Sequence, residues 1–193
     1  MYKLQMKIQR ILCVLAIITS ALVFAYSLGI LTDLYDMLYQ ITDSRADIDY
    51  SLYYDMQRFV RMLEIVGIGL ILVSCTLFIT NTHNRRRYYV SNFISVILVF
   101  FSNVAAAVWA HINLTPFRTR FVDLEFDLIE AYHADANTPD LATRSTFWFD
   151  LHWAVFILAL VISILLIANL FWKVSLMKNE RRLLNGEGKA VSL

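Results

Sequence analysis

The sequence predicts an all-α fold: an integral membrane four-helix up-down bundle with a small extracytoplasmic helical cap. Three observations predict it. Charged residues make up only 17% of the chain and mean hydropathy is +0.57, whereas a soluble domain carries about 25% charge. The missing charge is concentrated in four continuous windows instead of being thinned throughout. Basic residues crowd the chain ends and the connection between the second and third windows, and acidic residues crowd the other two connections.

The windows free of Asp, Glu, Lys and Arg run Ile11–Thr32, Ile65–Asn84, Tyr88–Phe117 and Leu151–Trp172. About 20 apolar residues at roughly 1.5 Å rise each cross a bilayer core, so all four are long enough. A backbone in hydrocarbon must satisfy its own hydrogen bonds, which requires helices here. The windows lack the period-two alternation of a membrane barrel. The spans are expected at about 11–32, 60–82, 89–112 and 150–172, in a single membrane domain over 1–193. The first window exceeds the 7–15-residue core of a signal peptide. Its nearest small-x-small site is Ala25-Tyr26-Ser27, so an uncleaved anchor is expected.

The outer segments, 33–58 and 113–149, are too long for plain turns and form the expected cap. In the first, Leu34, Met37, Leu38 and Ile41 keep helical spacing opposite Asp33 and Asp36, Asp43–Asp49 reads as a turn, and helix resumes from Tyr53. In the second, Phe121, Leu124, Leu128 and Tyr132 oppose Asp123, Asp127 and Glu130, as on an amphipathic helix. Pro116 and Pro139 bracket it, Ala134–Asp140 is the expected loop, and Thr143 or Ser145 is placed to cap the last helix.

Orientation follows from the basic residues. Lys3, Lys7, Arg10, Arg85, Arg86, Arg87, Lys173, Lys178, Arg181, Arg182 and Lys189 lie on one side, and Arg45, Arg58, Arg61, Arg118, Arg120 and Arg144 on the other. Lys and Arg mark the cytoplasmic side of short loops. Both tails and the 83–88 turn are therefore expected inside, in a plasma membrane, with Arg85, Arg86 and Arg87 facing anionic lipid. Tyr88, Tyr89 and Trp172 suit the inner interface; Trp109, Phe147, Trp148, Phe149 and Trp153 suit the outer one.

Polar residues near the spans are the candidate contacts. Arg61 and Glu64 are one helical step apart and able to pair, or to snorkel and grip a partner at the outer mouth. Asn103 falls mid-window, followed by Ala105, Ala106 and Ala107; Gly67 and Gly69 offer a similar close approach on the second span, and Asn169 adds an amide to the fourth. His111 and His152 sit near the outer ends of successive spans with Asp150 beside them, a pair suited to hydrogen bonding or, as a sharper reading, to haem or metal chemistry. Two histidines do not complete a zinc site, and no cofactor or metal is expected. Cys13 and Cys75 lie inside spans, so no outer disulfide framework exists. No phosphate loop, nucleophile elbow, HExxH or CxxC occurs. Asn113-Leu114-Thr115 matches a glycosylation triplet but is followed by Pro116 at the membrane edge.

The stretches Asn81–Phe93 (NTHNRRRYYVSNF) and Ser145–Trp153 (STFWFDLHW) resemble segments of small bacterial four-span membrane proteins. The resemblance covers the middle and end of the chain and implies a bacterial plasma membrane, without an activity or a catalytic residue. The expected function is non-catalytic: an accessory or scaffold subunit of a membrane assembly, such as a transport complex. Its expected partners are membrane lipids and another membrane protein or a second copy, with no nucleic acid. The alternatives are a small-molecule or ion transporter or channel acting as a homo-oligomer, and a membrane redox protein using His111 and His152.

Overall fold

The computed structural model describes residues 2–42, 51–82, 90–124 and 145–184. Among them are four helices: α1 (Tyr2–Thr42), α2 (Ser51–Thr82), α3 (Val90–Val122) and α4 (Phe147–Leu184). Each contains a stretch of 28 to 36 residues long and apolar enough to cross a membrane, the signature of a multi-pass membrane protein. The helices form a bundle in which α1 packs on α2 and α4, and α3 packs on the same two.

All four helices outrun their apolar windows. α1 continues through Asp33–Ile41, as the spacing there predicts. α2 starts at Ser51, ahead of its window. α3 passes Ile112, where its span is expected to end, and continues through Pro116 to Val122. A proline inside a helix leaves a carbonyl without its N–H partner. Here nearby side chains bond back to carbonyls: Asn113 to Trp109 at 2.7 Å, Thr115 to His111 at 2.8 Å and Thr119 to Thr115 at 3.2 Å. Phe121, expected to open a separate amphipathic helix, is instead buried at the end of α3, with its ring 5.2 Å from that of Phe149. α4 begins after Ser145, whose Oγ accepts the Phe147 N–H at 3.2 Å; this satisfies one of the free donors at a helix start. The 43–49 turn, Arg85, Arg86 and Arg87, and the remainder of the outer amphipathic segment lie outside the described residues.

The apolar interior consists of two clusters. One joins Val23, Tyr26 and Ile30 of α1 to Met56, Val60 and Leu63 of α2, Ala106 to Leu114 of α3, and Phe149 and Phe156 of α4. The other joins Leu12, Cys13 and Ala16 to Leu77, Val96, Val99, Ile162 and Leu166. Outward-facing positions carry large apolar side chains such as Ile65, Leu72, Phe101 and Phe171, which suits contact with lipid.

Close helix approach depends on two glycines. A Cβ on Gly67 would lie 2.9 Å from the Phe24 Cα, so α1 and α2 meet backbone to backbone there. A Cβ on Gly29 would strike the Trp148 ring. Gly69, expected to share the role of Gly67, faces open space with nothing within 4 Å. Two residues turn a helix by about 200°, so the two glycines cannot serve one contact.

Candidate functional site

The polar groups of the bundle interior fall at three levels. Half-way along the helices, between the two apolar clusters, each helix contributes one small polar side chain. Ser20 and Ser74 are hydrogen bonded at 2.9 Å, and the Asn103 Nδ2 donates to Ser163 Oγ at 2.9 Å. Ser20 and Ser163 also bond back to the carbonyls of Ala16 and Ala159, both at 2.8 Å. Asn103 is 3% exposed and its Oδ1 has no partner. This layer holds no titratable group, so it orders the bundle without offering a proton carrier.

At the α4 N-terminal end the two histidines meet. His111 Nδ1 and His152 Nε2 are 3.4 Å apart, the rings stack with a 15° interplanar angle, and Trp153 packs against both. His152 Nδ1 contacts the Phe149 carbonyl. A carbonyl only accepts, so that nitrogen carries a proton, and Nε2 is the atom turned toward His111. Asp150 takes no part in this pair. Its Oδ1 accepts from Arg118 Nε at 3.0 Å and its Oδ2 from the Thr146 hydroxyl at 2.6 Å. Among the described residues, no group of three or more His, Cys, Asp or Glu is placed to hold a metal.

The Arg118–Asp150 pair and a second one, Arg120 to Asp55 at 2.9 Å, fasten the extension of α3 to α4 and α2. Both are exposed, and exposed pairs add little because water and salt screen them. Arg61 and Glu64 are not joined by an ion pair among the described residues. Arg61 is exposed and Glu64 partly so, as snorkelling side chains are.

The third level was not singled out by sequence reasoning. Gln5 Nε2 donates to Gln9 Oε1 at 3.0 Å, and Gln9 Nε2 donates to Asn92 Oδ1 at 2.8 Å. Lys173 Nζ donates to the same Asn92 oxygen at 2.9 Å and lies 5.2 Å from the Phe93 ring centroid. Thr80 receives a long contact from Asn92 Nδ2 at 3.5 Å. All four helices thus contribute to one buried cluster. Lys173, expected in a basic tail beyond the fourth span, is 4% exposed because α4 continues to Leu184.

A signal for this cluster was present. Gln5 and Gln9 continue the buried stripe of Cys13, Ala16, Ser20 and Val23 at helical spacing. Lys173 continues Ala159, Ser163, Leu166 and Asn169 in the same way. Extending the core stripe outward, in place of stopping at the first charge, finds both.

No family model, curated protein or solved structure matches this chain. The reading of its function therefore rests on its own geometry.

Proposed function

We propose that this chain is a non-catalytic multi-pass protein of a bacterial plasma membrane, acting as an accessory or scaffold subunit of a membrane assembly such as a transport complex. It is inserted as an up-down-up-down bundle with both termini cytoplasmic and a small extracytoplasmic cap. The positive-inside distribution supports that orientation. The grouping of Leu12 to Ala16 with Leu77, and of Val23 to Ile30 with Met56 to Leu63, supports the alternating direction.

One observation carries the scaffold reading. The polar level half-way along the helices is joined by two direct side-chain bonds, one between α1 and α2 and one between α3 and α4, and packed between two apolar clusters. That is how polar groups lock helices together. Crosslinking in native membranes followed by gentle extraction and mass spectrometry tests it. A reproducible stoichiometric partner is expected; recovery as a lone monomer overturns it.

A second reading, solute or ion passage by a homo-oligomer, draws on the unpartnered Asn103 Oδ1 and on polar groups at three levels of one interior. Flux in liposomes that is lost in Asn103→Leu would establish it over the scaffold.

A further inference from the structure

We infer that the Gln5–Gln9–Asn92–Lys173 cluster is a binding site for a phosphate group, presented by the head group of an anionic phospholipid inserted between the helices. The inference goes beyond the scaffold reading and stands whether or not a protein partner exists.

The argument begins with the charge. An ionisable side chain inside a membrane bundle is costly and calls for a partner, and a buried charge is normally paired. Among the described residues, Lys173 meets only an amide oxygen and an aromatic face. Neither supplies the opposite charge. An ammonium has three donors, and one is used here.

The neighbours add donors, not anions. The amide groups of Gln5, Gln9 and Asn92 each carry two N–H donors, and Asn92 Oδ1 is already shared between Gln9 and Lys173. One buried cation and three amides together suit an anionic oxygen cluster, and Lys serves phosphate as a point charge. Basic recesses between helices at the cytoplasmic side are where phospholipid head groups seat.

A second observation favours a lipid over a free anion. Gln5 is fully buried and its Oε1 has no partner. That acceptor has no use for a phosphodiester oxygen. It fits the hydroxyl or ammonium group that a phospholipid head group carries beyond its phosphate. Lys3, Lys7, Lys178 and Arg181 are exposed on the same ends of α1 and α4, and each basic residue near the surface attracts anionic lipid by about 1 kcal/mol.

The test uses the full chain in nanodiscs of phosphatidylcholine alone, of phosphatidylcholine with phosphatidylglycerol, and of phosphatidylcholine in buffer with inorganic phosphate. Wild type, Lys173→Met and Lys173→Arg are compared by thermal unfolding, and by native mass spectrometry after extraction. Phosphatidylglycerol is expected to raise the unfolding temperature of wild type more than that of Lys173→Met, with Lys173→Arg between them. One phospholipid should remain on wild type and be lost from Lys173→Met. An equal rise with inorganic phosphate, again dependent on Lys173, keeps the phosphate site and reassigns its source to a soluble anion. Equal responses of wild type and Lys173→Met to both probes overturn the site. A uniform loss of stability in Lys173→Met, whatever the lipid, overturns it too, because that is the mark of a structural clasp alone. The exposed basic residues act equally in all three variants and cancel from the comparison.

Discussion

At the scale of single residues, burial and bonding separate the polar side chains that hold the bundle from those that merely lie in it. Tyr26 is buried, and its hydroxyl donates to the Trp148 carbonyl at 2.8 Å, joining α1 to the start of α4. Tyr26→Phe keeps the ring and removes that bond, and should cost about 1 kcal/mol in unfolding measurements. Asn103 is a different case. Its one bond goes to a serine that is already bonded to its own helix, while its carbonyl is unsatisfied. Asn103→Leu should therefore change stability by no more than about 1 kcal/mol in either direction. A loss of several times that amount would show that the amide is a keystone of the fold.

At the scale of elements, the decisive features are where the helices touch and where they stop. Gly67→Ala should force α1 and α2 apart at Phe24 and destabilise by roughly 1–3 kcal/mol, as overpacking does. Gly69→Ala should be neutral or slightly favourable, since alanine is the better helix former and no atom stands in its way. Measuring both in one detergent makes each the control for the other; equal effects would contradict the packing described at Gly67.

The same elements show what sequence reasoning could read. Four charge-free windows are enough to find four helices, because in hydrocarbon the backbone has few alternatives. The ends were less legible. Charge marks where a helix meets the head groups, not where it stops, so α3 was expected to end near Ile112 and α4 near Trp172. Pro116 misled for a related reason. Proline is a breaker in isolation, but neighbouring Asn and Thr side chains take up carbonyls around it. The His111–His152 approach was readable from position alone. The bonding of Asp150 to Arg118 and Thr146 was not, because it depends on the length of α3 beyond the window. Lys173 reads as a topology marker in the sequence, and its burial depends on the continuation of α4 to Leu184.

At the scale of the whole molecule, the proposed orientation is open to a direct test. A reporter enzyme active only in the cytoplasm should be active when fused after residue 184 and inactive when fused into the 125–144 segment. The reverse pattern would place the acidic segments inside and undo the positive-inside argument. The exterior also divides by use. Ile18, Leu72, Phe101 and Phe171 are exposed, one on each of the four helices, so any partner subunit would compete with lipid for its place. Affinity for such a partner then depends on close packing and polar contacts, since burial of apolar surface earns little when lipid covers it equally well.

The level half-way along the helices has one more consequence, for how the chain is assembled. Its two bonds are local in the chain: Ser20–Ser74 ties the first helix to the second, and Asn103–Ser163 ties the third to the fourth. Each successive pair of helices thus carries a bond that needs nothing from the other pair. The Gln9–Asn92, Tyr26–Trp148 and Arg120–Asp55 bonds, by contrast, reach from the first helix pair to the second, and form only when the two come together. The molecule is built like a pair of separately fastened clips that are buttoned together at both ends. Cut at the connection between residues 82 and 90 and expressed as two fragments, it should reassemble in the membrane, and the buttons should fail before either clip does.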